Sequence, residues 1–155
     1  MLLSGSAAMA QLVGDPRARF DPSQWVAGLA GVSSTLVMGR VPLAEFPANV
    51  PMRVLAADPT GSDLPTLLGL TLLGYNVTPV TPQTILGDAR TAVLHGQIDI
   101  ATVSNADAGD LMEWRQAGLT PLFTLGTINE AGDPILDPAF PGLPSLENLL
   151  AAKGG

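Results

Sequence analysis

Small residues with hydroxyl or amide groups recur in this chain where an apolar segment gives way to a helical one. Three such groups are Thr60-Gly61-Ser62-Asp63, Thr81-Pro82-Gln83-Thr84 and Ser104-Asn105. Their side chains, and the free backbone N–H groups of a helix start, can form hydrogen bonds with a small polar molecule. The positive end of a helix dipole also favours an anion, so a carboxylate or phosphate can dock there without a lysine.

Helix capping offers a second explanation of the same residues. Ser, Thr, Asn and Asp are the ordinary N-cap residues, and no ligand is needed to account for any single one of them. The binding hypothesis therefore depends on the three groups lying close together.

Three successive units of strand, turn and helix would hold these groups. The strands are predicted at Met52 to Ala57, Asn76 to Val80 and Ile98 to Val103, and the helices that follow end at Gly74, Gly96 and Gly118. The predicted N-caps are Ser62 or Asp63 for the first helix, Thr81 for the second, and Ser104 or Asn105 for the third. A fourth strand is expected at Thr120 to Leu125.

Apolar strands that alternate with helices predict an α/β fold, a three-layer sandwich with a mostly parallel sheet covered on both faces. In such a sheet the carboxyl ends of the strands share one edge, where ligands bind. The three polar groups are expected to meet at that edge. They supply the candidate ligand-binding residues, Thr60, Gly61, Ser62, Asp63, Thr81, Gln83, Thr84, Ser104 and Asn105.

The two ends of the chain are less regular. A helix is expected from Ala7 to Val13 and a strand near Ser34 to Met38. Near the other end, turn signals at Asp133-Pro134, Asp137-Pro138 and Pro141-Gly142 exclude long elements, and a short helix is predicted from Leu146 to Ala152. Met1 to Ala10 lacks the basic start and long apolar middle of a secretory signal, so no signal peptide is expected here.

The composition excludes several classes of function. The 155 residues carry a net charge of −7, with 14% charged residues, which disfavours binding to nucleic acid and to anionic membranes. The chain has no cysteine, which removes thiol catalysis, zinc-thiolate sites and disulfides. No run of about 18 apolar residues is present. The length fits a single domain.

No catalytic or metal-binding constellation stands out. His95 falls in the last turn of the second predicted helix, where the dipole favours a solvated histidine. Asp99 lies in the third strand, while Asp107, Asp110 and Glu113 share one helix and indicate a solvated acidic face. The prediction is no catalytic residue, no metal and no cofactor.

Two other α/β classes fit poorly. A phospho-acceptor receiver domain needs a lysine after a late strand, whereas the only lysine is Lys153 in the tail. A dinucleotide-binding fold needs a Gly-x-Gly-x-x-Gly turn, and Thr60-Gly61-Ser62-Asp63 supplies one glycine.

Several segments, taken in order, resemble the substrate-binding receptors of tripartite tricarboxylate transporters, also called Bug receptors. The similarity covers about Gln11 to Leu150, and each motif is weak by itself, so their order and spacing carry it. The segments are Arg19-Phe-Asp-Pro-Ser-Gln-Trp25, Gly61-Ser-Asp63, Ala89-Arg-Thr-Ala-Val-Leu-His-Gly-Gln-Ile-Asp99, Glu113-Trp-Arg-Gln-Ala-Gly118, Pro121-Leu-Phe-Thr-Leu-Gly126 and Phe140-Pro-Gly-Leu-Pro-Ser-Leu-Glu147.

The resemblance implies one lobe of a two-lobed, periplasmic-binding-protein type II fold. The chain would enter this lobe through a hinge strand at Leu36 to Gly39 and leave through another at Pro121 to Gly126. Residues 1–51 would be a first-lobe remnant with a hinge, 52–120 the second-lobe core, and 121–155 the return strand and tail. The resemblance further implies a non-enzymatic receptor for a small carboxylate, partner subunits in a membrane transporter, and a periplasmic or extracytoplasmic location.

The chain departs from the family pattern in two ways. Thr81-Pro-Gln-Thr84 stands where the family has a glycine after Tyr-Pro or Pro-Tyr, and most of the first lobe has no counterpart. A cleft with one wall predicts weak ligand binding. The alternative is a truncated lobe that has lost ligand binding and acts as a protein-interaction or homodimerising module, since an uncovered apolar face favours association. An enzyme is the third possibility.

Overall fold

The computed structural model describes residues 10–11, 13–16, 18–21, 24, 35–47, 49–57, 62–84, 87–104 and 108–154, with the backbone alone for residues 104 and 108–110. Of the helix expected from Ala7 to Val13, Ala10 and Gln11 are helical, a turn at residues 13–14 follows, and the rest lies outside the described residues.

The regular elements of the remaining chain alternate much as the sequence predicts. The strands are β1 (Thr35–Gly39), β2 (Met52–Leu55), β3 (Val77–Val80), β4 (Ile100–Ser104), β5 (Thr120–Thr124), β6 (Thr127–Ile128) and β7 (Pro134–Ile135). The helices are α1 (Leu64–Leu72), α2 (Ala89–Leu94), α3 (Ala108–Gln116) and α4 (Leu146–Ala152), with 3-10 turns at Leu43–Glu45 and Pro82–Thr84.

The main sheet is mixed, with five strands in the order β3-β2-β4-β1-β5. Strand β2 pairs in parallel with β3 and β4, whereas β1 pairs antiparallel with β4 and β5. Four strands therefore run in one direction and β1 runs against them. The α/β class is confirmed. The sheet is mostly parallel, as expected, except for β1, which lies between β4 and β5 and runs antiparallel to both.

Strands β1 and β5 lie side by side, with Leu36 opposite Thr124 and Gly39 opposite Thr120. The amide of Leu125 donates to the carbonyl of Thr35 at 3.0 Å. Because the two strands are antiparallel, the chain enters the sheet through β1 and leaves it through β5 at the same edge. Thr35 also pairs with Ser104, the last residue of β4, so this is the edge where β4 ends.

Two groups of buried apolar side chains pack on the sheet, and each is contributed by alternate residues of the strands. One contains Leu36, Met38 and Ala101 and is covered by α2 and α3; the other contains Val37, Val54 and Phe123 and is covered by α1 and α4. The helix residues concerned are Ala92, Val93, Leu111 and Trp114 in the first group, and Leu67, Leu70, Leu146 and Leu149 in the second.

The prediction of one helix running from a Thr81 cap to Gly96 is wrong. The carbonyl of Thr81 accepts hydrogen bonds from the amide and hydroxyl of Thr84, which close a 3-10 turn. A separate helix, α2, begins after Asp88, whose carboxylate accepts from the amide of Thr91 at 2.9 Å. Gly87 has a φ of +80°, which separates the two elements. Ile85, which the single predicted helix would include, lies outside the described residues.

The predicted ends of the first three helices and the predicted bounds of the last helix are confirmed. Gly74, Gly96 and Gly118 have positive φ values at the predicted stops. Helix α4 has the predicted bounds because Ser145 and Asn148 form a capping box. The turn signals before it leave only two-residue strands in β6 and β7.

Candidate functional site

The carboxyl edge of the sheet is defined as the edge where β2, β3 and β4 end, the three strands that precede the predicted turns. Parallel pairing aligns β2 with β3, and the amide of Ala56 donates to the carbonyl of Val80 just past the ends of both strands. Strand β4 ends at Ser104 on the other side of β2. The chain segments that leave these three strands thus start from one edge, which is also where the chain enters and leaves the sheet.

The first turn leads from β2 to α1. Thr60 and Gly61 lie outside the described residues, Ser62 is exposed, and Asp63 is half-buried at the N-cap position of α1. Helix α1 is nine residues long and has Pro65 in its first turn, so its start offers fewer backbone donors than a helix without proline. The carboxylate of Asp63 at the same helix start opposes a ligand anion.

The start of α1 is fixed against the sheet by a buried pair of threonines. Thr66, in the first turn of α1, is fully buried, and its hydroxyl oxygen lies 3.0 Å from the hydroxyl of Thr102 in β4. This contact joins the first turn of α1 to the strand that leads into the third polar group. Sequence reasoning did not identify it, because the two residues are 36 positions apart.

The second turn contributes Thr81, Gln83 and Thr84. Thr81 is half-buried, and the Thr84 hydroxyl is engaged with the Thr81 carbonyl at 2.8 Å, so it serves the turn. Gln83 is exposed, and its side-chain amide has no hydrogen-bond partner among the described residues. Gln83 is therefore the group of this turn that is open to a ligand.

The third turn is described only at its first residue. Ser104 is the last residue of β4, known by its backbone alone, and Asn105 lies outside the described residues. The three strands that lead into the predicted turns thus end at one edge, whereas Thr60, Gly61 and Asn105 lie outside the described residues.

The ion pair between Arg53 and Asp99 was missed by sequence reasoning. The Asp99 carboxylate accepts from the Arg53 guanidinium at 2.7 and 2.8 Å and from the Arg53 backbone amide at 3.0 Å. The side-chain hydrogen bonding between Arg53 and Asp99 is the main reason that the pKa of Arg53 is raised above its usual value. The sequence did contain a signal for this pair, because Arg53 and Asp99 are each the one charged residue in a mostly apolar predicted strand. Asp99 immediately precedes β4, so the pair lies away from the carboxyl edge and joins two strands.

The titratable residues His95, Arg90 and Glu113 do not belong to the candidate turns. His95 is the exposed C-cap residue of α2, as expected. Glu113 is exposed and pairs with Arg90 at 2.5 Å, and the Arg90 guanidinium lies 5.5 Å from the centre of the Trp114 ring. Within the described part of the chain, no cluster of three or more His, Asp or Glu could hold a metal ion.

Two grooves lie outside the carboxyl-edge turns. The hairpin groove, of about 640 Å³, lies between the β6–β7 ribbon and α4 and is lined by Ile128, Ile135, Leu146 and Leu150 among others. The Arg115 groove, of about 360 Å³, is lined by Leu111, Arg115, Pro121, Phe140, Gly142 and Leu143. Both are largely apolar.

Comparisons with known proteins do not assign this site. No family model, no curated protein and no solved structure matches the chain. Among the described helices, none has the length and apolar character needed to cross a bilayer.

Proposed function

We propose that the chain is a solute-binding receptor lobe for a small carboxylate, of the tripartite tricarboxylate transport type, and that it is not a catalyst. The observation that carries the proposal is the shared edge. Strands β1 and β5, which the family resemblance implies as the two hinges, are hydrogen-bonded neighbours. Their outer ends lie at the carboxyl edge, where the three polar turns begin.

This arrangement is what a binding lobe requires. A ligand cleft between two lobes must be bordered by the segments that connect the lobes and by the turns that contact the ligand, and both lie at one edge here. The packing of α1 and α4 on one sheet face, and of α2 and α3 on the other, supports a three-layer sandwich. A periplasmic or extracytoplasmic location and transporter subunits as partners belong to the same proposal.

The polar turns favour hydrogen bonding over charge pairing as the mode of recognition. None of the candidate residues is basic, so a carboxylate would be held by the exposed Ser62 and Gln83 and by backbone amides. A ligand contacted from a single lobe keeps much of its surface in water, and the expected dissociation constant is about 1 mM.

Calorimetric titration with citrate, dicarboxylates and aromatic acids tests the proposal. We expect a dissociation constant of about 1 mM for at least one acid and about five-fold weaker binding of that acid after Ser62→Ala or Gln83→Ala, the loss of one hydrogen bond. Thr78→Ala is the matched control, because Thr78 is exposed within β3 and away from its carboxyl end. Absence of binding by every acid, or equal weakening by the control, would contradict the proposal.

The hairpin groove favours a second candidate function, self-association of a lobe without ligand. Ile128 and Ile135 line this groove and are 58% and 37% exposed, and Leu136, the next residue in the chain, is 47% exposed. The β6–β7 ribbon has only two strands and leaves its outer edges unpaired within its sheet, and such edges favour pairing with another copy of the chain.

Light scattering after gel filtration tests this second candidate. Self-association predicts a dimer mass at high concentration that returns to the monomer mass in Ile128→Glu. A monomer mass for the unsubstituted chain at every concentration would exclude it.

A further inference from the structure

The Arg115 groove combines an apolar lining with one cationic group. Leu111 and Arg115 come from α3, Pro121 from β5, and Phe140, Gly142 and Leu143 from the loop before α4. Leu111, Phe140 and Leu143 are half-buried and pack against the core between the sheet and helices α2 and α3. The groove therefore continues the hydrophobic core outward to the Arg115 side chain.

The loop that forms one side of this groove is held in a defined shape. The carboxylate of Asp137 accepts from the amide of Ala139 at 2.9 Å, and the amide of Phe140 donates to the carbonyl of Asp137 at 3.0 Å. The amide of Leu143 then donates to the carbonyl of Phe140, also at 3.0 Å. These successive turns order the two apolar side chains before any ligand arrives, which lowers the entropy cost of binding.

The guanidinium of Arg115 has hydrogen-bonding capacity to spare. It makes no hydrogen bond or ion pair with any residue in the described part of the chain. Four other cationic side chains already have partners: Arg40 on the Val93 carbonyl, Arg53 on Asp99, Arg90 on Glu113 and Lys153 on the Leu73 carbonyl. The position of Arg115 in the last turn of α3 suits the helix dipole, but a dipole uses none of its five N–H donors.

The two grooves differ in the sign of their charge. The hairpin groove has Glu147 in its lining and no basic residue, which disfavours a carboxylate. The Arg115 groove has a cation and no acidic residue in its lining. Of these two grooves, the Arg115 groove is therefore the one complementary to an apolar molecule that carries one negative group.

We propose that the Arg115 groove binds an amphipathic monocarboxylate, with its hydrocarbon or aromatic part on Leu111, Phe140 and Leu143 and its carboxylate on Arg115. The volume of about 360 Å³ falls within the range of roughly 300–1,000 Å³ found for small-ligand sites. Helix α3 starts beyond the carboxyl end of β4 and Arg115 lies in its last turn, so this second site is separate from the three turns.

The test is an NMR titration of the ¹⁵N-labelled full chain with 3-phenylpropionate and with its uncharged amide. We expect shift changes at the amides of Leu111, Gly142 and Leu143, and about five-fold weaker binding of the amide than of the acid. Arg115→Gln is expected to weaken the acid about five-fold and to leave the amide unchanged. Arg19→Gln, the same change of charge at a residue that does not line the groove, is expected to leave both unchanged.

Three results would overturn the proposal. The first is that 3-phenylpropionate and its uncharged amide bind with the same affinity. The second is that the Arg115→Gln variant binds the acid as tightly as the unsubstituted chain does. The third is that the shift changes are confined to Ser62, Asp63 and Gln83. The last result would support the carboxyl-edge site at the expense of this one. Unchanged amide shifts elsewhere in the Arg115→Gln spectrum show that the variant keeps its fold.

Discussion

Two ion pairs of this chain, Arg53–Asp99 and Arg90–Glu113, differ in how much they are expected to stabilise the fold, because Asp99 is buried and Glu113 is exposed. Asp99 is 7% exposed and accepts three hydrogen bonds from Arg53, whereas Glu113 forms its ion pair with Arg90 at the surface. A carboxylate with buried hydrogen bonds stabilises a fold more than a solvated ion pair does. The first pair joins β2 to the start of β4; the second links the surfaces of α2 and α3.

A comparison of two conservative substitutions measures this difference. Asp99→Asn is expected to lower the free energy of unfolding by about 1–2 kcal/mol, since it removes a charge-assisted bond to a half-buried guanidinium. Glu113→Gln should change it by less than about 0.5 kcal/mol. Urea denaturation of both variants gives the two values, and equal losses would contradict the assigned role of Asp99.

Asp88 gives the chain a pH-dependent helix cap. Its pKa is lowered chiefly by the hydrogen bond from the Thr91 amide, so the charged form is favoured in the folded state. With a folded pKa below the unfolded one, this stabilisation is complete above the unfolded pKa and disappears as the pH falls through the folded pKa.

The corresponding experiment follows the thermal midpoint with pH. Asp88→Ala is expected to melt below the unsubstituted chain at pH 7, and the difference should shrink once the pH falls below about 4. Asp88→Asn keeps a neutral acceptor and should show no such pH dependence relative to Asp88→Ala. A difference that is constant from pH 7 to pH 3 would show that the charge of Asp88 has no part in the cap.

At the scale of elements, local signals predicted most of the helices and strands. Glycines predicted the ends of α1, α2 and α3, and α4 has the predicted bounds, Leu146 to Ala152. The helix assigned from Thr81 was wrong because the pair Gly87-Asp88 was read as helix interior, although glycine followed by aspartate is a pattern of a helix start. The reversed direction of β1 could not be predicted, since its partners β4 and β5 are more than sixty residues away.

Helix α4 depends on a glycine in α1 for its position. A Cβ built on Gly69 would lie 2.6 Å from a methyl carbon of Leu146 and 3.3 Å from its Cγ. A side chain at residue 69 would therefore displace the Leu146 side chain from its present position against α1.

Gly69→Ala is accordingly expected to lower the free energy of unfolding by about 1–3 kcal/mol, although alanine favours a helix over glycine by about 1 kcal/mol. Adding Leu146→Ala should reduce the clash and make the effect of Gly69→Ala less unfavourable. Leu72→Ala, at a position 66% exposed on α1, is the control for a change on the helix surface. Gly69→Ala with increased stability would show that α4 does not need this close contact.

At the scale of the molecule, the sequence predicted that β2, β3 and β4 end at one edge of the sheet, because the carboxyl ends of parallel strands lie together. Apolar strands followed by capped helices predict parallel pairing, and parallel pairing brings the ends of β2, β3 and β4 to one edge. Strands β1 and β5, which overlap the two hinge strands that the family resemblance implies, are hydrogen-bonded neighbours, and their role as hinges stays a prediction. The Arg115 groove could not be predicted, because it joins residues far apart in the chain. For the Arg53–Asp99 pair the sequence shows a charge within each of two apolar segments, but not that the two charges meet across 46 residues.

The most direct test of the central claim maps where a small carboxylate binds. We predict that succinate, titrated into the ¹⁵N-labelled chain, shifts the amide signals of Ser62, Asp63, Gln83 and Ser104, while its uncharged diamide, a weaker hydrogen-bond acceptor, shifts them less at the same concentration. Succinate lacks the apolar body that the Arg115 groove requires, so shifts at Leu111 and Leu143 are not expected. Equal shifts with the diamide, or succinate shifts away from the carboxyl edge, would contradict the account.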